Sequence, residues 1–295
     1  MIGRRRVLTI IAGGILAGRG VRAAEWRGRA LGAEARILIR GGAAPDDLLA
    51  AVRAEIERIE AVFSLYRDSE LSRLNRDRRG APSPEMRAAL SLARRVHVAT
   101  GGAFDPGVQP LWRQLAEGGG PDPRALVPFA GLRQQGTELR LAPGQALTLN
   151  GIAQGIATDR VATLLAGRGL GQVLVDMGEA RALEGDFALE LADPAAGTLG
   201  RITLRAGRAV ATSSPGALLF PSGQGHILGP RGQPPLWSTV SVEAASAALA
   251  DAASTGFVLM QREAIRQAAR RLGLGPVRLV DPEGGLSTLD GQPAA

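Results

Sequence analysis

The sequence predicts one mixed α/β domain, a mainly antiparallel or mixed sheet with packed helices, behind a short leader. Three observations predict it. Leu48, Leu49, Val52, Ile56, Ile59 and Phe63 fall on one stripe of a helical pattern over Pro45–Phe63, with Asp46, Asp47, Arg53, Glu57 and Arg58 on the other side. Short apolar runs at Phe187–Leu191, Ile202–Leu204 and Ala209–Ala211 are separated by turns such as Asp193-Pro194 and Ala206-Gly207, the pattern of antiparallel strands. The chain has 295 residues, 45% of them hydrophobic, enough for one large core or two small ones. The most linker-like spot, Gly118–Pro123, is short and reads as a loop inside one domain.

Composition narrows the chemistry. There is no cysteine, which excludes disulfides, iron–sulfur ligation and thiol catalysis. Every one of the 35 basic residues is arginine. The formal net charge is +7, but Arg4, Arg5, Arg6, Arg19 and Arg22 lie in the leader, so the remaining chain carries 7 − 5 = +2. That balance gives no electrostatic argument for nucleic acid. Residues 1–23 have the form of an export signal: a charged start, a modest apolar run over Val7–Ala17, and small residues for cleavage around Val21–Ala24. The run is too short to span a bilayer. Its arginines resemble a twin-arginine signal, which places the folded domain, 24–295, in the periplasm.

Along the domain, Ala35, Ile37 and Ile39 alternate with Arg36, Leu38 and Arg40 in a strand within Trp26–Arg40, after a loop at Leu31-Gly32. Phe63–Asn75 is polar and loop-like, with an N-cap at Ser69 and the only tyrosine, Tyr66. Pro82–Arg95 is a second helix with Pro84 in its first turn, and His97 falls near its end. Thr100–Pro110 is rich in glycine and proline and carries Asp105, and a helix begins at Trp112. Gln172–Met177 reads as a buried strand, Trp237–Val242 as another, and the chain closes with a helix at Glu263–Leu272 and a strand at Val277–Val280.

Two stretches carry chemistry. In Leu147–Ala162 a short apolar run stops at Asn150-Gly151 and a helical pattern follows. A strand turning through glycines into a helix N-terminus suits an anion, because free N–H groups and the helix dipole point at it. In Ala250–Met260, Asp251 and Thr255 are four apart on one helical face and present one charged and one neutral oxygen, a donor pair suited to a hard divalent cation. His226 follows a Gly/Ser/Pro loop and is the better placed of the two histidines for chemistry. Thr212, Ser213 and Ser214 group hydroxyls at a strand end, where they bind phosphate or cap a turn.

The order of these motifs is specific. FSLYRDSELSRLN, GGAFDPGVQPLW, LNGIAQGIATDRVA, VLVDMGEARALEG, VATSSPG, the later His226 and ALADAASTGF resemble the FAD:protein FMN transferase (ApbE) family from about residue 25 to 280. The GIAQG, DMGE and RAL forms look most like the NosX branch. The resemblance implies a mixed α/β fold with FAD held between the motif segments and Mg²⁺ near its pyrophosphate. Carried over, the metal ligands are the Gly151 carbonyl, Asp251 and Thr255. FAD would meet Leu31, Tyr66, Ala103, Phe104, Asp105, Thr148, Gln154 and His226.

The implied reaction is attack by a Thr or Ser hydroxyl of a partner protein on the FMN-side phosphorus of FAD, releasing AMP. His226 is the candidate to take the hydroxyl proton and Asp251 the charged metal ligand; the sequence does not separate His226 from Asp159, which alternatively supports the turn through hydrogen bonds. The implied acceptor is a membrane-bound electron-transfer subunit of the NosR type. Three positions depart from the family pattern: Thr148 and Gln154 stand where many relatives have Asp and Lys, and Gly178-Glu179 replaces a common Gly-Gly. Two other classes remain: a flavin-binding maturation or storage protein, and a Mg²⁺-dependent FAD pyrophosphatase.

Overall fold

The computed structural model describes residues 8–10, 23–40, 47–120 and 127–291. Most of the leader lies outside these residues, as do Pro45 and Asp46 at the start of the first helical pattern. A short edge strand, β1 (Leu8–Ile10), is followed by a hairpin, β2 (Ala23–Ala30) and β3 (Ala33–Arg40). Then come α1 (Leu48–Phe63), α2 (Glu70–Asp77), β4 (Arg79–Gly80), α3 (Pro84–Ala99) and α4 (Gln109–Ala116). The small strands β5 (Arg133–Gln135) and β6 (Glu138–Arg140) precede α5 (Ala153–Ala166), β7 (Val173–Asp176) and β8 (Ala180–Ala182). β9 (Phe187–Asp193), β10 (Gly197–Leu204), β11 (Ala209–Ser213) and β12 (Thr239–Ala244) lead to α6 (Ala247–Phe257), α7 (Arg262–Leu272), β13 (Val277–Val280) and β14 (Leu286–Leu289).

The expected fold class is the one observed. Eight strands form an antiparallel sheet in the order β14-β13-β12-β11-β8-β7-β3-β2. Both of its faces are covered, which the strand alternation explains. In β3 and β7, Ile37, Ile39, Val173 and Val175 enter the main core with α1, α3, α5, α6 and α7. Leu38 and Leu174 point the other way and pack with Phe187, Leu189, Leu191 and Leu204 of the β9–β10 ribbon. β1 pairs with the outer edge of that ribbon.

Local sequence accounts for the helix boundaries. Ser69 accepts from Ser72 N, and Ser72 Oγ accepts from Ser69 N, a capping box that starts α2. The polar segment expected to be loop is therefore helical from Glu70. Ser83 caps α3 ahead of Pro84. The strand expected after Leu31-Gly32 is observed as β3, and it forms the second arm of a hairpin whose first arm, β2, the apolar alternation does not mark. The turn residues Leu31 and Gly32 have φ of 49° and 79°, and the Leu31 N–H bonds to Glu60 Oε1 at 2.9 Å. The run before the glycine turn is not a strand. Leu147 is held by the Asn75 side chain, which accepts from Leu147 N at 2.7 Å and donates to Leu147 O at 2.8 Å. One amide side chain does there what a neighbouring strand does elsewhere.

Asp193 ends β9 as a buried junction. Its Oδ1 accepts from Ala195 N and Ala196 N, both at 2.8 Å, and its Oδ2 from Ser238 Oγ and Thr239 Oγ1, both at 2.6 Å. Burial alone pushes this carboxyl up; the Ser238 and Thr239 hydroxyls and the two N–H groups outweigh it and hold it below the ordinary carboxylate value. A carboxyl depressed in the folded state adds stability that is present above its unfolded pKa of about 3.9 and is lost as pH falls through the folded value. Asp193→Asn is therefore expected to cost about 2 kcal/mol at pH 7. The gap to wild type should narrow in denaturant melts taken below pH 4.

Candidate active site

A cleft opens where the glycine turn, α6 and the end of β11 converge. One wall is the loop after α3, with Ala103, Phe104 and Asp105; another is the turn Thr148–Gly151 leading to Gln154. The β7–β8 turn contributes Asp176, Gly178 and Glu179, the end of β11 Thr212, Ser213 and Ser214, and α6 Asp251 and Thr255. His226 and Leu228 enter from the loop beyond β11, Trp112 from α4, and Glu34 from β3.

The glycine turn and the acid–hydroxyl pair of α6 meet. A Cβ built on Gly151 would lie 3.0 Å from Thr255 Oγ1 and 3.3 Å from the Phe104 ring. Gly155, in the first turn of α5, donates its N–H to Asp251 Oδ2 at 3.2 Å. Helix α5 has no side-chain cap. One of the first-turn N–H groups offered by sequence to an external anion is thus used by the protein's own Asp251. Around them lies a hydroxyl network: Ser213 Oγ is 2.9 Å from Ser254 Oγ and 3.3 Å from Thr255 Oγ1, and Ser254 Oγ donates to Asp251 O at 3.0 Å.

Each of the other walls is fixed by backbone bonds. Asp105 Oδ1 accepts from Gly107 N at 2.7 Å and Phe129 N at 2.9 Å. Burial pushes the Asp105 carboxyl up, against those two N–H groups and the charge of His97, and burial wins. His97 does not reach the cleft; it donates from Nδ1 to Phe104 O at 2.9 Å and so braces the loop that does. Thr148 Oγ1 accepts from Asn150 N at 3.2 Å, so its hydroxyl shapes the turn. Gly178, at φ 108°, passes so close to Gln154 that a Cβ would lie 2.7 Å from Nε2. Glu179 Oε2 accepts from Thr212 N at 3.2 Å, and Asp176 Oδ1 from Gly178 N at 2.9 Å.

His226 Nδ1 faces two carbonyl oxygens, Pro215 O and Leu218 O, each at 3.3 Å. In the neutral ring Nδ1 therefore carries the proton and Nε2 the lone pair.

Of the residues singled out from sequence, Ala103, Phe104, Asp105, Thr148, Gly151, Gln154, His226, Asp251 and Thr255 line this one cleft. Leu31 and Tyr66 do not. The Leu31 side chain packs against the main core behind its turn, and Tyr66 projects into solvent, 77% exposed. Asp159 is not on the lining either, which leaves His226 as the better candidate base of the two. Sequence reasoning missed Glu34, Asp176 and Trp112. Asp176 ends a run read only as a buried strand, and nothing local marks Glu34 or Trp112 as neighbours of residues 100 positions or more away.

The lining carries the carboxylates Glu34, Asp105, Asp176, Glu179 and Asp251 and one imidazole. A polyanion entering such a cleft needs a cation beside it. The donor set at Gly151, Asp251 and Thr255 is all hard oxygen with a single charge. It suits a divalent cation that keeps waters and takes further oxygens from a substrate phosphate. No cluster of three or more His, Cys, Asp or Glu that could hold a metal by themselves occurs among the described residues. No helix among the described residues is long and apolar enough to cross a membrane.

A profile described as the ApbE family matches residues 31–276. Among curated proteins none matches. Solved structures do. The flavin transferase ApbE from Vibrio cholerae superposes with a TM-score of 0.76 at 23% identity, over 92% of this chain and 98% of that one. The apo flavinyl transferase ApbE from Pseudomonas stutzeri gives 0.75 at 23%, over 93% and 96%. The ApbE protein from Thermotoga maritima gives 0.79 at 23%, over 90% and 96%.

Proposed function

The chain belongs to the ApbE family, and from that premise we propose that it is a Mg²⁺-dependent FAD:protein FMN transferase, carrying FMN from FAD to a Thr or Ser hydroxyl of a partner protein and releasing AMP. The observation that carries the reading is the meeting of Gly151, Asp251, Thr255 and His226 in one cleft. The same cleft is also lined by the apolar groups Phe104, Trp112 and Leu228.

Phosphoryl transfer asks little covalent help of a protein; positioning and charge neutralisation do most of the work. Asp251, Thr255 and the Gly151 carbonyl would hold Mg²⁺, which when bound offsets the charge gathering on the phosphate oxygens and the leaving AMP. His226 presents Nε2 to the acceptor hydroxyl and takes its proton as the oxygen attacks the FMN-side phosphorus. The bond from that phosphorus to the AMP oxygen breaks. Ser213 and Thr212 offer hydroxyls, and Gln154 an uncharged amide, to the phosphates. Where relatives have a lysine at this position, the charge is absent here; a charge-assisted bond is roughly twice as strong as a neutral one.

The leader and the branch-specific motif forms support an exported protein of the NosX type, acting in the periplasm on a membrane-bound electron-transfer subunit of the NosR type. One assay tests the function. The protein is mixed with FAD, Mg²⁺ and an acceptor fragment exposing a threonine. Acid-stable flavin fluorescence on the acceptor together with AMP is the expected result. AMP with free FMN would mean a pyrophosphatase, and bound but intact FAD a carrier. In the same assay His226→Ala should slow transfer about a hundredfold, with FAD binding measured by fluorescence quenching little changed.

A further inference from the structure

We propose that Asp159 is the positioning residue of the metal site, a clamp that sets where α6 presents Asp251 and Thr255 against the glycine turn. The inference rests on the cation reading of Gly151, Asp251 and Thr255 given above and assigns a role to a side chain outside the cleft.

Asp159 sits on α5, one turn beyond Gly155. Its Oδ1 accepts from Ala247 N and its Oδ2 from Ala248 N, both at 3.0 Å. These are the first two residues of α6. The N-cap residue Ser246 accepts only from Leu249 N, at 3.1 Å. The two first-turn N–H groups that Ser246 does not reach are therefore taken by a carboxylate reaching across from another helix. Its negative charge lies at the positive end of the α6 dipole. Arg181 of β8 pairs with the same carboxylate, so the clamp ties three elements together.

The consequence for the site is geometric. Ala247 and Asp251 are four residues apart, one helical turn, and Thr255 is one turn further on. Fixing the first turn of α6 fixes the register of both ligands. At the same place Gly155 brings the two helices to backbone contact, and its N–H holds Asp251 Oδ2. Asp159 thus acts on Asp251 through the helix, as the groups that orient metal ligands do elsewhere.

The test uses Mn²⁺ as probe, titrated into the full-length protein and followed by electron paramagnetic resonance, with FAD affinity measured separately at saturating Mn²⁺. Asp159→Ala should raise the half-saturating Mn²⁺ concentration at least about tenfold, and Arg181→Met by less, with FAD affinity at saturating Mn²⁺ nearly unchanged. Leu189→Ala, in the separate core under the β9–β10 ribbon, controls for general loosening: it should lower the melting temperature without moving Mn²⁺ affinity. Asp159→Asn covers the case in which the alanine variant does not fold, since it keeps volume and one acceptor while losing the ion pair, and it too should weaken Mn²⁺. Unaltered Mn²⁺ affinity in a folded Asp159 variant, with Asp251→Ala still abolishing binding, overturns the clamp and leaves the metal reading standing. Failure of the wild-type protein to bind Mn²⁺ at all overturns both. An equal loss of Mn²⁺ affinity in Leu189→Ala also counts against the clamp.

Discussion

Asp251→Ala is expected to abolish Mn²⁺ binding and to lower kcat/KM for FMN transfer at least about a thousandfold, roughly 4 kcal/mol of transition-state stabilisation. Asp251 is the only charged group in the proposed ligand set, and a neutral hydroxyl and a carbonyl do not retain a divalent cation on their own. Without the cation, the pyrophosphate would face a cleft whose lining carries five carboxyl groups and no arginine. The fold should tolerate the change better than the activity does. The variant loses one buried charge and leaves the Gly155 N–H without its 3.2 Å acceptor, opposing effects of about 1–3 kcal/mol each. Circular dichroism and a thermal melt beside the AMP assay separate the two. Near-normal turnover in a folded Asp251→Ala protein would falsify the metal assignment.

Gly155→Ala is expected to destabilise the fold strongly for so small a change. A Cβ there would lie 2.5 Å from the Ala247 carbonyl carbon and oxygen and from Ala248 Cα, all backbone atoms that cannot rotate away. Alanine is otherwise the better helix former by up to about 1 kcal/mol, so propensity predicts the opposite sign. Sterics decide. Parting α5 from α6 by the width of a methyl group costs about 3 kcal/mol, which lowers the melting temperature by roughly 6–12 °C in a domain of this size. The same separation pulls Asp251 from the glycine turn, so Mn²⁺ affinity should fall with stability. A melting temperature at or above wild type would show that the interhelical contact relaxes at no cost.

The contrast between these two residues shows what a sequence displays and what it hides. Asp251 and Thr255 could be paired from their spacing, because a helix puts i and i+4 on one face whatever surrounds it. The helices α1 and α7 were equally plain, since each exposes one side. α5 buries the polar Gln154 and Thr158 beside its apolar residues, and its strongest constraint, the backbone approach at Gly155, has no side chain to announce it. The first arm of the β2–β3 hairpin, Glu25-Trp26-Arg27-Gly28, escapes a sequence reading that finds β3, because it has little apolar alternation. The Trp26 ring lies over Gly28, where a Cβ would meet it at 2.3 Å, and so supplies packing that no pattern encodes. Tyr66 drew attention as the lone tyrosine, yet the capping box at Ser69 turns the chain so that it faces water. From sequence Asp159 is either a base or a hydrogen-bonding support of the glycine turn. Only the positions of the Ala247 and Ala248 N–H groups reveal what it is bonded to.

The pairing of β3 with β7 joins Arg36–Ile39 to Val173–Asp176. On the ribosome the N-terminal hairpin emerges first, but its partner strand is translated some 130 residues later. Throughout that interval the inner edge of β3 has unsatisfied peptide groups open to wrong pairing, and closing so long a loop is slow. Until that partner strand arrives the edge is open to mispairing, so such a chain gains from shielding during synthesis. Under the export proposed above, a translocation route that accepts finished proteins relieves that demand, whereas one that threads an unfolded chain would repeat the vulnerable interval on the far side.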